Sequence, residues 1–187
     1  MIRTPGWTSR RETLAGLVLA AAATPALARQ SGVSPELPAQ AKAALDKLLE
    51  SNPGARKIYG QAAAVLVFPK ITKAGLLVGG ATGDGVLYAR DQPGGYYRWT
   101  AASYGLQIGE ETYSYALFFM TDEALAYLQK TDGWEVGTGP TLVVADETYA
   151  KEVSTMNLDK GVYVFIYGQK GLMAGGGVQG AKITKIQ

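Results

Sequence analysis

Cysteine and histidine are both missing from this chain of 187 residues. Their absence excludes disulfide bridges, thiol nucleophiles, a histidine general base and the usual zinc sites. A metal site would have to use carboxylate and carbonyl oxygens, and the sequence has no ladder of acids of the kind that binds calcium. We therefore expect neither a metal nor any other cofactor.

The side chains that remain for catalysis lack suitable partners. No serine stands in a GxSxG motif, and no histidine is present to activate one. Neighbours on a strand point to opposite faces, so Glu110 and Glu111 do not form a glycosidase pair across one cleft. Asp122 and Glu123 suit the first turn of a helix. The sequence favours a protein that is not an enzyme, although a mechanism that uses carboxylates alone stays open.

Long apolar runs are scarce, and one of them, AGLVLAAAATPALA at 15–28, stands near the N-terminus. It follows Ser9, Arg10 and Arg11 and ends in small residues, with a predicted cleavage after Ala28. This pattern resembles a twin-arginine export signal. The run is shorter than the roughly 20 apolar residues that a transmembrane helix needs.

Export divides the chain and changes its charge. We predict a signal peptide at 1–28, a linker at 29–37 and one domain at 38–187, located in the periplasm. The chain has 18 basic and 16 acidic residues; cleavage removes three arginines and one glutamate, which leaves 15 of each. This neutral balance gives no support for nucleic-acid binding. Residues 99–155 carry two basic and nine acidic side chains, and the flanking parts are basic, so a basic face is compatible with the neutral total.

Apolar spacing predicts an α+β domain with a few short helices. Residues 37–50 repeat alanine and leucine at helical intervals, Ser34 is placed as the N-cap, and 52–54 end the helix. Thr121 caps another short helix. Strands are predicted at 62–69, 75–82, 86–90, 96–99, 104–108, 112–120, 141–145 and 162–168, with turns at 83–85 and 93–95 and an undecided segment at 146–156.

Two stretches of the chain repeat each other. VLVFPKITKAGLLVGG at 65–80 aligns with VYVFIYGQKGLMAGG at 162–176 when Ala74 is skipped. A repeat of this kind indicates two related supersecondary units that pack together. The eight identical positions are Val65/Val162, Val67/Val164, Phe68/Phe165, Lys73/Lys170, Gly75/Gly171, Leu76/Leu172, Gly79/Gly175 and Gly80/Gly176.

The glycines of the repeat suggest either a phosphate-binding loop or a bent strand. A dinucleotide loop needs a following helix, whereas VQGAKITKIQ after Gly177 is short and β-branched, and neither copy ends in the Gly-Lys-Ser/Thr of a Walker loop. Glycine inside a strand marks a bend or close backbone approach. We therefore predict a strongly curved, mainly antiparallel sheet with a barrel-like core that closes on itself.

Three long segments resemble the SYLF domain family of lipid-binding domains. They are AAAVLVFPKITKAGLLVGGATGDGVLYAR at 62–90, ASYGLQIGEETYSYALFFMTDEALAYL at 102–128, and GPTLVVAD with YGQKGLMAGGGVQGAKI at 139–146 and 167–183. The resemblance covers nearly all of 38–187. It implies an α+β fold of two related, BON-like halves, no catalytic activity, and binding to phospholipids, which are phosphoinositides for eukaryotic members. Bacterial members are typically exported. The helix at 37–50 departs from the basic amphipathic helix of eukaryotic members, because its lysines are mixed with acids.

Basic residues in or beside the repeats are the candidates for contact with lipid headgroups. Because Lys73 and Lys170 align, we expect them to share one face, where each charge would contribute about 1 kcal/mol near an anionic membrane. The alternative is a solvated surface with scattered lysines. The candidates are Lys70, Lys73, Arg90, Lys170 and Lys182.

The aromatic segment at 96–99 allows two interpretations. Amphipathic rings suit a membrane interface. On an alternating strand, however, Tyr97 and Trp99 share one face and Tyr96 and Arg98 the other, which favours a core on one side and solvent on the other.

Taken together, the sequence predicts an exported, non-enzymatic domain that binds a phospholipid membrane peripherally. An envelope adaptor that binds another protein is the alternative, and an enzyme acting on envelope lipid is a third interpretation. The sequence predicts neither the preferred headgroup nor the oligomeric state.

Overall fold

The fold is described from a computed structural model. It describes residues 32–89, 92–130, 133–136, 140, 142–144, 161–175 and 178–187, of which 105–107, 142–144, 172–175 and 178–179 are described by their backbone alone. The predictions that lie outside the described residues are the export signal with Ser9, Arg10, Arg11 and Ala28, the candidate Arg90, and the segment 146–156. Residues Gly32–Gln187 form one compact unit.

A long antiparallel hairpin forms the centre of the fold. Strand β1 spans Ala64–Ala89 and strand β2 spans Gln92–Phe119. Their pairing runs from Ala64 opposite Phe119 to Ala89 opposite Gln92. The predicted turns at 83–85 and 93–95 are therefore wrong, because both segments are paired within the hairpin. The predicted end of the first strand at Pro69 is instead a register shift between Phe68 and Ile71.

The other strands extend the sheet from the opposite edge of β2. After the short strands β3 (Trp134–Glu135) and β4 (Leu142–Val144), β5 (Val162–Gly175) and β6 (Val178–Lys185) both pair antiparallel with β2. Strand β3 pairs with β6, and β4 pairs in parallel with β5. The mixed α+β fold and the mainly antiparallel sheet are confirmed, whereas the barrel-like closure is wrong, because the six described strands form an open sheet.

Two of the three described helices were predicted, and one was not. Helix α1 spans Leu37–Ser51, α2 spans Pro53–Tyr59, and α3 spans Asp122–Lys130. The N-cap of α1 is Glu36 rather than Ser34. Helix α2 was not predicted; it begins directly after α1 because the Asn52 side chain accepts a hydrogen bond from the Ala55 N–H, at 3.0 Å.

Thr121 behaves as predicted at the start of α3. Its hydroxyl accepts a hydrogen bond from the Ala124 N–H at 3.2 Å. This bond satisfies one of the donors that a helix leaves free in its first turn.

Alternation along the strands gives the sheet two apolar faces. One face packs against α1 and α2, whose buried residues are Leu37, Ala41, Leu45, Leu48, Ala55 and Ile58. The other packs against α3 and the buried ring of Trp134. The strand residues of the first face are Val65, Val67, Val86, Tyr88, Ala116, Phe118, Tyr163 and Phe165. Those of the second include Leu66, Phe68, Ile71, Leu87, Tyr97, Trp99, Tyr115, Leu117, Phe119, Val162, Val164 and Ile183.

Glycine lets β1 curve back on itself. A Cβ atom on Gly85 would lie 2.7 Å from the Val67 carbonyl oxygen and 2.6 Å from Cδ1 of Phe68, and one on Gly83 would overlap the Lys70 carbonyl oxygen. Side chains do not fit at such distances, so the late part of β1 approaches its early part only because these positions lack a Cβ. The strong curvature predicted from the glycines is thus present without closure.

The two repeat copies lie on either side of β2 and run in the same direction. Ala64 of β1 and Val162 of β5 are both opposite Phe119. The second copy continues as a strand to Gly175, and strand β6 follows at Val178. The interpretation of this glycine-rich stretch as strand rather than as a loop that leads into a helix is therefore confirmed for its described residues.

Candidate functional site

Two irregularities in the sheet meet at one level and open a cleft. The register of β1 on β2 shifts between Phe68 and Ile71, and that of β5 on β2 shifts between Thr112 and Ser114. Bulges bend strands and redirect side chains. The cleft at this level, of about 460 Å³, is bordered by α1 and by β1, β2 and β5.

Three lysines from three different elements line this opening, which we call the lysine cleft. Lys47 comes from α1, Lys70 from the bulge of β1, and Lys170 from β5. All three are exposed. No acidic residue is among the described residues that line the cleft, and none of the three lysines belongs to an ion pair within the described part of the chain. The charged side chains in the described lining of the cleft are therefore all positive.

Hydrogen bonds between elements fix the walls of the lysine cleft. The Ser114 hydroxyl donates to the Pro69 carbonyl at 2.8 Å, which ties β2 to the bulge of β1. The Tyr167 hydroxyl donates to the Ala44 carbonyl at 3.1 Å, which ties β5 to α1. Burial raises the pKa of Tyr167, so this hydroxyl stays protonated and keeps donating at neutral pH. Hydrogen bonds thus connect the walls of the cleft, and the three lysines at its opening are exposed.

The expectation that Lys73 and Lys170 share one face is wrong. Lys73 is opposite Glu111, whereas Lys170 is opposite Thr112, the next position of β2. Successive positions of a strand face opposite sides, so this offset of one residue separates the two lysines. The alignment does not reveal this offset, which is present from the start of the repeat: Val65 is opposite Phe118, whereas the aligned Val162 is opposite Phe119.

Lys73 lines a second cleft of about 360 Å³. This cleft is mixed in charge, since Glu111 lines it together with Lys73. Trp99 and Tyr115 form its aromatic wall, and their ring centroids are 4.5 Å apart. The second cleft is therefore less suited to an anion than the lysine cleft.

The remaining candidates for contact with lipid headgroups are Lys182 and Arg90. Lys182 is an exposed residue of β6, opposite Thr100 of β2 and Glu135 of β3, and it lines neither cleft. Arg90 lies outside the described residues. Of the predicted basic residues, the structure brings together Lys70 and Lys170. It adds Lys47, which the sequence reading set aside because α1 carries both signs of charge.

The candidate catalytic side chains are not brought together. Glu111 lines the second cleft and Glu110 does not. The pKa of Glu123 is lowered by its own backbone N–H and by the Thr121 hydroxyl, so it is an ionised acid at the start of α3. Ser114 donates to a carbonyl, and Ser103 is buried. Within the described ranges, no three acidic side chains cluster as a metal site would require.

An exposed apolar group was not predicted. Leu76, Leu77 and Val78 of β1 are 66%, 53% and 63% exposed. Opposite them on β2 stand Ile108, which is 63% exposed and pairs with Leu76, and Tyr104, which is 76% exposed and pairs with Val78. We call these five residues the apolar apex.

The aromatic segment at 96–99 agrees with the interpretation that one of its faces belongs to the core and the other faces solvent. Tyr97 and Trp99 are 1% and 3% exposed, so they do not face a membrane. Arg98 on the other face makes two hydrogen bonds with Asp84, at 2.6 and 2.9 Å. Two buried polar atoms, the Tyr97 hydroxyl and the Trp99 Nε1, have no hydrogen-bond partner among the described residues.

Comparison with known proteins adds no identification to this geometry. No protein family model matches the chain, and no curated protein sequence matches it. Among the helices that the structure describes, none is long and apolar enough to cross a bilayer.

Proposed function

We propose that this protein is an exported domain of the SYLF type that binds phospholipid membranes from the periplasm and has no catalytic role. The observation that carries the proposal is the lysine cleft, where Lys47, Lys70 and Lys170 converge with no acid in the described lining. The resemblance of residues 38–187 to SYLF domains and the export signal at 1–28 support it independently.

The chemistry of the lysine cleft suits a phosphate headgroup. An ammonium near an anionic membrane surface contributes about 1 kcal/mol. Three of them from separate elements surround one opening, and the hydroxyl-bearing Thr112 lies in the same lining. The volume of about 460 Å³ accommodates a headgroup, since small-molecule pockets span roughly 300–1,000 Å³.

The finer part of the fold prediction belongs to the same proposal. We infer two related, BON-like halves because both repeat copies pair with β2 from opposite sides and begin at neighbouring positions of it, Val65 opposite Phe118 and Val162 opposite Phe119. Duplicated units that share one central strand would explain why the two bulges lie at one level and form one cleft between them.

An envelope adaptor remains the second candidate function, and the apolar apex is the observation that favours it. Exposed apolar patches mark contacts with proteins as well as with membranes. A chain that binds a partner protein through the apex would show no preference for anionic vesicles.

Flotation of the purified protein with vesicles tests the proposed function. We expect it to float with vesicles that contain phosphatidylglycerol and to stay at the bottom with phosphatidylcholine alone. Failure to float with either vesicle would contradict the proposal and favour the adaptor. Thin-layer analysis of the same lipids checks for turnover, which would contradict the absence of catalysis.

A further inference from the structure

The apolar apex stands on a tight backbone loop within β1. A Cβ on Gly75 would lie 2.6 Å from the Gly79 Cα and 3.2 Å from the Val78 carbonyl oxygen. The two glycines are four residues apart in the sequence, yet their backbones are in contact, which does not occur in an extended strand. The three residues between them are therefore displaced outward. The register shift between Leu76 and Val78 marks the same place on the hairpin. Three consecutive aliphatic side chains are therefore exposed at an irregular point of the hairpin.

The conformation of Leu77 is unusual for its residue type. Its φ is +66°, and it is the one residue other than glycine with positive φ in the part of the chain that the structure describes. Glycine, asparagine or aspartate normally fills such a position. A leucine here is disfavoured both by its backbone and by its exposure to water. Strained residues of this kind concentrate at functional sites.

The size of the apex distinguishes between its possible occupants. A stable interface between proteins uses roughly 20–30 residues on each side, whereas the apex offers five apolar side chains. None of the five residues lines either of the clefts described above. Insertion into a bilayer requires neither a large contact area nor a pocket, because each aliphatic group that enters the hydrocarbon region is removed from water, which is favourable.

The distance between the apex and the lysine cleft fits the layers of a membrane. Lys170 is opposite Thr112, four residues from Ile108, which corresponds to about 13 Å along a strand. Apolar groups of peripheral proteins enter about 5–10 Å into the boundary between headgroups and acyl chains. Lysines at this separation would lie at the level of the phosphates. Glu110 and Glu111 lie between the two levels and oppose anionic lipid there, so the apex has to supply affinity that does not depend on charge.

We propose that the apolar apex inserts into the hydrocarbon region of the bilayer while the lysine cleft contacts the headgroups. This inference rests on the proposed function and assigns the insertion to Leu76, Leu77 and Val78, with Tyr104 and Ile108 beside them. It predicts that part of the binding survives high salt, since apolar transfer is not screened.

The absence of cysteine makes the test specific, because a single introduced thiol is the only site for a label. Leu77→Cys carries an environment-sensitive fluorophore, and Gln129→Cys, an exposed position of α3, is the matched control. With phosphatidylglycerol vesicles we expect the label at 77, and not at 129, to shift to the blue and to be quenched by spin-labelled acyl chains.

Three other outcomes would overturn the inference, and the experiment distinguishes them from one another. If the labelled chain floats but the probe at 77 is unchanged, the insertion is wrong and the proposed function stands. If the chain does not float, both are wrong. If the probe shifts with protein concentration and without vesicles, a second copy covers the apex and the inference is overturned.

A substitution that suits the backbone separates insertion from folding. Leu77→Asn places a residue that tolerates positive φ at this position, so we expect an undiminished unfolding midpoint and a loss of vesicle affinity of at least fivefold at high salt. Ile166→Thr is the control, since Ile166 is also exposed, at 43%, but lies on β5 outside the apex. Equal affinity of both variants and of the unsubstituted chain would overturn the proposal.

Discussion

Gly75 and Gly79 touch through their backbones, and a Cβ on the first would lie 2.6 Å from the Cα of the second. Both glycines belong to the repeat, where they align with Gly171 and Gly175. The contact closes a loop in the middle of a long strand and determines where the exposed apex stands. A sequence feature that resembles a nucleotide-binding loop thus serves close backbone packing.

We predict that Gly75→Ala lowers the free energy of unfolding by about 1–3 kcal/mol, because the added methyl group must displace backbone rather than a flexible side chain. Gly80→Ala is the matched control: its Cβ would meet the Ala101 carbonyl oxygen at an ordinary 3.6 Å, so its stability should change little. Urea denaturation of both variants measures the difference. Equal stability would show that the loop does not depend on this contact.

The curvature of β1 depends in the same way on Gly85. We expect Gly85→Ala to destabilise the fold by about 2 kcal/mol or more, since its Cβ would lie 2.7 Å from the Val67 carbonyl oxygen in a fully packed region. A Cβ on Gly180 would meet nothing within 4 Å, so Gly180→Ala serves as the control. Thermal unfolding followed by circular dichroism compares them, and a Gly85 variant as stable as the control would contradict the fold-back of β1.

Buried tyrosines predict a loss of stability in alkali. Burial raises the pKa of Tyr88, Tyr97, Tyr115 and Tyr167 above the ordinary value of 10.0. The unfolded chain therefore loses these protons first, so stability is retained below pH 10 and falls as the pH rises above it. Each such group contributes a slope of up to about 1.4 kcal/mol per pH unit.

One of these tyrosines offers a direct check. The Tyr97 hydroxyl is buried and has no partner in the described part of the chain. We therefore expect Tyr97→Phe to leave stability at pH 7 unchanged or slightly higher and to make the alkaline decline less steep. Tyr167→Phe is the contrasting variant, because it removes the hydrogen bond to Ala44 and should cost about 1 kcal/mol at pH 7. Urea titrations across pH 7–12 compare them; a steeper decline for the Tyr97 variant would contradict the assignment.

Local patterns predicted much of the fold. Alternation identified the strands around Phe118 and Val164, helical spacing identified α1, and Thr121 marked the start of α3. These features depend on neighbours in sequence, which is why they could be read without coordinates. The predicted turn at 83–85 was wrong because glycine suits both a reversal of the chain and a close contact between backbones. Only the contact of Gly85 with Val67 and Phe68 shows which of these applies.

The candidate site was predicted only in part, for a related reason. Lys70 and Lys170 were named because they lie in the repeats, but the level at which they meet depends on two bulges. Lys73 lies on the other face because the two copies pair with β2 one position apart. Lys47 joins them only because α1 packs over this level of the sheet. The exposure of Leu77 depends on a positive φ that its residue type argues against.

Charge reversal within and outside the lysine cleft tests the central claim most directly. Lys70→Glu with Lys170→Glu changes the cleft, while Lys57→Glu with Lys185→Glu makes the same change of charge at exposed positions that do not line it. In flotation across a salt series, we predict that the cleft variant loses at least tenfold in affinity for phosphatidylglycerol vesicles at low salt, and that this loss shrinks as salt screens the charges. Equal affinity of the two folded variants at every salt concentration would contradict the assignment of headgroup binding to the cleft.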